Sequence, residues 1–458
     1  MSPVKQLCHL ATDCFLLERG SLFVAYFPKR GQVLEVNREA WHFLAQVKAG
    51  VNTKLLSPDE LDVLRQLDEM GLVERGETAS PKKVSTAVKP AVYAPTRTAL
   101  LLTNRCNLRC AYCYSSTGSA PRADLPLEAA IAAVDLIVKN AGQTGEKALL
   151  VLHGGGEPSC AWQQLKTVVE HFESRARVER IDTHTAIATN GVIPLGRLAW
   201  LAEHVQEFCI SLDGPPKIQD QQRPKASGAG SYEDVERTFT FLDTHGKHYF
   251  VMATVTGESL GSLIGLVPLL AGRPGCSGVF LTPVYAYGNG TKSVSIPNAQ
   301  AFIETCRTFT LAARQSGLKA SYIGARSHVL ADTWCDATSE NTSFDVTPEG
   351  LVTSCYMVTD ASDPRAELFL HGKYDAESGK YVFNQEAQKR LRSRKVENIP
   401  ACRDCFCKYS CAGGCLNQAP GLHMVNRYRC QLNRTLTMDQ IVEALQRDEM
   451  QPESRLEL

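Results

Sequence analysis

Apolar and polar positions change their rhythm three times along the chain. Phe15 to Tyr26 reads as two short strands about Gly20, and Gly31 to Val36 alternates as a third. Asn37 then caps a helix through Ala49. Ser57, Pro58 and Glu60 open another helix with a capping serine, a first-turn proline and a glutamate three residues on. Leu61, Val63, Leu64, Leu67 and Met70 form its apolar stripe. Residues 77–97, rich in Ser, Thr, Lys and Pro, read as a linker. From Ala99 short apolar runs alternate with longer amphipathic ones. Strands are expected at 99–103, 148–153, 183–188, 208–212, 249–255 and 278–283. Helices are expected near 126–141, 162–177, 195–205, 232–245 and 260–271, with another from Pro297 to about Gly317. Alternating βα units imply a parallel sheet flanked by helices. Six of them make an α/β fold of the partial (β/α)6 barrel kind, with its site at the carboxyl ends of the strands. Beyond 330 the pattern breaks into short, loop-rich segments with little core of their own. The division that follows is an N-terminal unit over 1–80, a linker over 81–97, a barrel over 98–325, a cysteine-rich domain over 330–440 and a tail over 441–458.

Composition narrows the class. Hydrophobic residues make up 44% and charged residues 21% of the 458, as in globular proteins. Lysine plus arginine equals aspartate plus glutamate, at 49 each, so no net charge draws the chain to nucleic acid or to a membrane surface. No apolar run is long enough to span a bilayer, and the first residues lack the apolar core of an export signal, so a cytoplasmic protein is expected. The 17 cysteines are clustered. In a reducing compartment clustered thiols bind metal or do chemistry rather than form disulfides. Cys8, Cys14, Cys160, Cys209, Cys276 and Cys306 are scattered and read as buried free thiols.

The first close cluster is Cys106-x3-Cys110-x2-Cys113, directly after the first barrel strand. Three thiolates can hold three irons of a four-iron cluster, leaving one iron open to chelate something else. Zinc sites favour paired C-x2-C knuckles instead. With Tyr112 before the last cysteine, the motif resembles the signature of radical S-adenosylmethionine enzymes. Gly155-Gly156-Glu157-Pro158 after the second strand, Thr189-Asn190-Gly191 after the third and Ser211-Leu212-Asp213 after the fourth extend the resemblance. The resemblance implies that the open iron chelates the amino nitrogen and carboxylate of S-adenosylmethionine. Gly155, Gly156, Glu157 and Pro158 would then lie close to its ammonium, Asn190 and Ser211 would meet its carboxylate and ribose, and Tyr112 would contact its adenine. An electron from the cluster cleaves the sulfonium to methionine and a 5′-deoxyadenosyl radical, which abstracts hydrogen from an unactivated C–H bond. Asp213 is read as fixing its turn and His153 as a packed strand-end residue.

The later cysteines resemble a SPASM domain, the auxiliary-cluster extension of many peptide-modifying members. Cys335 is followed by Gly350-x4-Cys355, then Cys402-x2-Cys405-x5-Cys411-x3-Cys415, then Cys430. The resemblance implies one four-iron cluster at Cys402, Cys405, Cys411 and Cys430, and three irons of another at Cys335, Cys355 and Cys415. With the first motif that makes three four-iron clusters. No cysteine between 336 and 354 supplies a fourth ligand to the last of them. Cys407 is extra to the pattern, read either as that ligand or as a spare thiol. The N-terminal unit resembles a PqqD-like, winged-helix-like peptide-recognition element, in which a leader peptide adds as a strand to the sheet edge. Together these resemblances imply a maturase of ribosomally made peptides. It would take a precursor peptide by its leader, draw electrons from a flavodoxin or ferredoxin, and carry out an oxidative modification, with a thioether or carbon–carbon crosslink favoured. Two alternatives stand beside it: a formylglycine-generating sulfatase maturase, and a zinc- or iron–sulfur-stabilised peptide-binding module without catalysis. Sulfatase maturases carry an aspartate after the second SPASM cysteine, and here Tyr356 follows Cys355. No catalytic base or radical-quenching residue is identifiable from the sequence.

Overall fold

The computed structural model describes residues 7–75, 93–115, 123–285, 293–327, 329–334, 343–448 and 455–456. The expected strand–strand–strand–helix–helix order holds in the N-terminal unit. Phe15–Arg19, Leu22–Phe27 and Gln32–Val36 form an antiparallel sheet. The Arg38–Ala49 helix is capped by Asn37, whose side chain accepts from the Ala40 amide at 2.8 Å. The Pro58–Glu69 helix carries the Ser57/Glu60 capping box. Along Leu22–Phe27 the two faces divide by alternation. Ala25 and Phe27 join a core with Leu34, Phe43, Leu44 and Leu67, while Val24 and Tyr26 pack against Phe406, Cys407, Ile441 and Leu445 from the far end of the chain. The unit is thus docked on the cysteine-rich region.

Most of the expected linker, residues 76–92, lies outside the described residues. Its end does not behave as a linker: Tyr93 packs edge-on against Phe383 at 4.9 Å, and Arg97 opens a strand. Arg97–Leu101, Ala148–His153, Thr183–Thr189, Glu207–Ser211, Tyr249–Val255, Cys276–Pro283 and Ala320–Tyr322 then pair in parallel, in chain order. Helices Leu127–Thr144, Trp162–Glu179, Leu195–His204, Tyr232–Thr244 and Ala299–Gln315 follow the amphipathic runs. The helix expected at 260–271 is instead a 3-10 stretch, Leu260–Gly265, and one α turn, Leu266–Leu270. Pro268, which lacks an amide hydrogen, sits in that turn. A short helix not read from the sequence, Pro216–Gln222, follows the fourth strand.

The largest departures lie beyond 330. Ser343–Val346 adds in parallel to the free edge of Arg97–Leu101, and Leu351–Thr353, Leu370–Asp375 and Lys380–Phe383 continue antiparallel. The region therefore borrows the barrel's sheet, which reaches eleven strands among the described residues. It also holds a 22-residue helix, Arg427–Asp448, which crosses the expected boundary at 440/441. Arg455–Leu456, placed in a tail by the sequence, pairs in parallel with Glu35 and Val36 at the edge of the N-terminal sheet. No described helix is long and apolar enough to cross a membrane.

Candidate active site

The first barrel strand releases the chain into an irregular loop that carries Cys106, Cys110 and Cys113. Segments far apart in sequence strap this loop on both sides. On one, Leu108 bridges to Lys225, Arg109 N–H donates to the Pro224 carbonyl at 2.7 Å, and Ala111 N–H donates to Gln222 at 2.9 Å. On the other, Arg105 grips the Asp124 carboxylate with two guanidinium bonds, 2.9 and 2.7 Å long. The amides of Gly156 and Glu157 donate to the carbonyls of Thr103 and Arg105 at 2.9 and 2.8 Å. Gly156 is required here, since a Cβ would lie 2.0 Å from the Arg105 carbonyl oxygen. The glycine pair of the second motif thus holds the first motif in place.

Glu157 is buried, not turned to an open pocket. Its carboxylate accepts from the Ser159 amide at 3.1 Å, the Thr189 hydroxyl at 2.9 Å and the Asn190 amide at 2.8 Å. Burial pushes its pKa up, and these three donors oppose the shift. Glu157 also caps the turn that Pro158 opens. Asn190 is equally engaged: its side-chain amide donates to Asn107 at 2.8 Å and approaches the Cys106 sulfur at 3.7 Å, and its carbonyl accepts from Val192. Gly191 follows at φ +77°, a left-handed turn that favours glycine. Ser211, at the end of its strand, has no hydrogen-bond partner for its hydroxyl among the described residues. Gly155 lies beside Thr103, with room for a Cβ.

Tyr112 donates its hydroxyl to Asp213, with the Arg223 guanidinium 5.3 Å from its ring. Its hydroxyl is therefore committed inside the protein and leaves only the ring for an adenine. Asp213 does more than fix its turn. Fully buried, it accepts from Arg223 and Gln222 at 2.9 Å and from the Thr254 amide at 3.0 Å. Gln222 and Arg223, and the wider role of Asp213 with them, were not visible in the sequence, because the partners of Asp213 lie about 10, 40 and 100 positions away. Tyr356 is another. Its ring stacks on His153, 4.1 Å between centroids, beside the Gly155–Pro158 turn. That brings the chain next to Cys355 up to the barrel mouth.

Burial pushes the Cys106 thiol up to about 12 and the Cys110 thiol up to about 11, the latter against the pull of Arg223. Iron must displace those protons on binding. Among the described residues no three His, Cys, Asp or Glu side chains converge on a single metal ion. A cubane asks for something different, since each thiolate takes its own iron.

The later cysteines separate into two sets. Cys402, Cys405, Cys411 and Cys430 line one cavity of about 740 Å³, as the pattern grouped them. Cys407 lines it too, and a hydrogen bond between the two thiols holds Cys405 below the usual thiol range. Cys407 is thus beside Cys402, Cys405, Cys411 and Cys430, whereas neither Cys355 nor Cys415 lines that cavity. Cys355 packs among Val358, Phe369, Leu391 and Leu416, the last adjacent to Cys415. Cys335 lies outside the described residues. Of the scattered cysteines, Cys8, Cys14 and Cys306 are buried as expected, whereas Cys160, Cys209 and Cys276 are half-buried.

Comparison with known proteins agrees with this arrangement. Residues 100–267 match the model of the radical SAM superfamily. A cysteine-type anaerobic sulfatase-maturating enzyme of Clostridium novyi is 25% identical over 182 residues, 38% of this chain and 44% of the relative. The radical SAM cyclopropyl synthase TigE of Paramaledivibacter caminithermalis is 22% identical over 161 residues, 32% of this chain and 33% of the relative. The chain thus aligns with less than half the length of either. A structure of anSMEcpe with bound AdoMet overlays 77% of the chain and 96% of its own, with TM-score 0.60 and 16% identity. Streptococcus suis SuiB bound to its precursor peptide SuiA overlays 93% of the chain and all of its own, with TM-score 0.54 and 14% identity. Such low identities establish a shared fold. The cysteine loop, its strand-end frame and the match over residues 100–267 together identify that span as a radical SAM domain, the kind of domain that works with S-adenosylmethionine and a four-iron cluster.

Proposed function

We propose that this enzyme is a peptide maturase that oxidatively modifies a ribosomally made precursor, with a thioether or carbon–carbon crosslink as the product. The observation that carries the reading is the interlock of the cysteine loop with the Gly155–Pro158 and Thr189–Gly191 turns at the strand ends. When bound, a reduced four-iron cluster and S-adenosylmethionine supply a 5′-deoxyadenosyl radical there. The protein's part is to orient and shield. Gly156 and Asn107 fix the cysteine loop, Glu157 and Asn190 tie the second and third strand ends together, and the Asp213 network closes the side at Tyr112. Ser211, whose hydroxyl is uncommitted, and the Tyr112 ring are the groups left to meet the cofactor.

Cys402, Cys405, Cys411 and Cys430 would hold one auxiliary cluster, and Cys335, Cys355 and Cys415 three irons of a second. Removing two hydrogens from a peptide leaves an electron beyond the one carried by the abstracted hydrogen atom, and these clusters would take it. A flavodoxin or ferredoxin would supply the priming electron. The precursor's leader would add to the Gln32–Val36 strand. The overlay with SuiB leaves only 7% of the chain uncovered, too little to omit the whole N-terminal unit, which supports reading that unit as part of a peptide maturase.

The relative in Clostridium novyi favours a second reading, formylglycine formation on a sulfatase. Tyr356 counts against it, because an aromatic ring stacked on His153 occupies the position after Cys355 where sulfatase maturases carry an aspartate. Mass spectrometry after anaerobic turnover separates the two. Crosslinking removes two hydrogens from a precursor peptide encoded beside the gene and leaves a sulfatase peptide untouched. Conversion of a sulfatase cysteine or serine to formylglycine, with the precursor unchanged, would replace the first reading by the second.

A further inference from the structure

Two arginines of the cysteine-rich region are almost fully buried, and they are treated differently. Arg394, 2% exposed, donates to the carbonyls of Leu422, Gly413 and Met424, so its charge is spread over backbone acceptors. Arg429, 5% exposed, has one side-chain acceptor, the Gln418 carbonyl oxygen at 2.8 Å. Its Nε and Nη2 are buried without an acceptor, and no carboxylate pairs with it among the described residues. An arginine cannot shed its proton, and an unpaired buried charge is costly, so such a group calls for an anion.

The surroundings say where that anion sits. The guanidinium lies 4.0 Å from the Trp334 ring, whose other guanidinium neighbour is Arg326 at 4.2 Å. Trp334 immediately precedes Cys335 in sequence. The Arg429 Nε also lies against Gly414, 3.4 Å from where a Cβ would stand, and Gly414 immediately precedes Cys415. The Cys411 sulfur lies against the same glycine, 3.9 Å from where that Cβ would stand. Asn433 already donates to the Cys411 sulfur, at 3.0 Å, whereas no such donor reaches Cys415 among the described residues. A thiolate-bound iron–sulfur cluster is an anion whose potential follows net charge and hydrogen bonds to its sulfurs.

We propose that Arg429 is the counter-charge and sulfur hydrogen-bond donor of the auxiliary cluster that Cys415 would ligate, and that it raises the reduction potential of that cluster. This rests on the reading that auxiliary clusters form at all. Arg429 is a positioning and tuning residue, and an electron left on the product would find this cluster easier to reduce because of it.

The test is an anaerobic redox titration, followed by electron paramagnetic resonance, of the full reconstituted chain and its R429M, R429Q and R429K variants. Iron content is measured in parallel. The signal that responds to S-adenosylmethionine belongs to the first cluster, and the signal lost in C415A marks the cluster in question. R429M and R429Q should move that signal to a more negative midpoint, R429K should move it less, and the other two clusters should stay in place. Unmoved midpoints with iron retained, a shift confined to a different cluster, or equal loss of iron in all three variants would overturn the proposal. A parent protein holding only about four irons would instead remove the auxiliary-cluster reading itself, and this inference with it.

Discussion

The strand-end site and the cysteine-rich region are built by opposite means. Around Cys106 to Cys113 the polypeptide completes its own frame: Glu157, Asn190 and Asp213 are buried, and each is bonded by groups from other strands or loops. Around Cys402 to Cys430 the frame is open. Five thiols line a cavity, the local apolar clusters are small, and Arg429 keeps unpaired buried donors. Regions with so little core rely on metal to fold. One site is thus preformed, whereas the other, on the proposed function, would be finished by the clusters it holds. On the proposed function, the barrel gives rigid orientation for radical chemistry, and the cysteine-rich region would handle electrons and substrate.

Five changes test that contrast, taken in falling order of effect. Replacing Cys106, Cys110 and Cys113 with alanine should abolish 5′-deoxyadenosine while leaving the fold and about eight of about twelve irons intact. Replacing Cys402, Cys405, Cys411 and Cys430 should do the reverse, loosening residues 343–448 to proteolysis while the barrel keeps its shape. Equal damage from both sets would erase the distinction. Next, Asp213→Ala leaves the buried Arg223 guanidinium unpaired, a loss of about 3–5 kcal/mol by the usual cost of breaking a buried pair. Denaturant unfolding should register it, together with loss of iron from the first cluster and not from the others.

Smaller effects lie where the two regions meet their neighbours. Arg455–Leu456 occupies the Gln32–Val36 edge that a leader would use, so deleting residues 449–458 should tighten precursor binding a few-fold in a fluorescence titration. An unchanged or weakened affinity would place the leader elsewhere. Asp345 sits where the C-terminal strands join the barrel, paired across from Ala99, and burial raises its pKa from 3.8 to about 7. Between those two values the folded state holds more protons than the unfolded one, so this group's contribution to stability falls as pH rises. Asp345→Asn should therefore reduce the drop in Tm between pH 5 and pH 8, by a few degrees.

The legible parts of this protein were local. Cys106-x3-Cys110-x2-Cys113, the Ser57/Glu60 capping box and the six alternating βα units are all signals written within a few turns of chain. The roles of the motif residues were less so. Glu157 and Asn190 read as groups facing a cofactor, but burial and donors more than 30 positions away turned them into struts. The Arg427–Asp448 helix escaped because its buried side, Leu432, Leu436, Ile441 and Leu445, is a narrow stripe in a polar run. The strands after 343 escaped because each has only three to six residues, too few to carry a period, and they form on an edge the barrel already provides.

On the proposed function, the strand-end frame holds a radical-generating centre. Anaerobically reconstituted wild-type protein, reduced and given S-adenosylmethionine, should release 5′-deoxyadenosine and methionine in equal amounts. A protein that binds zinc in place of iron, or that carries its iron yet yields no 5′-deoxyadenosine under reduction, would contradict it.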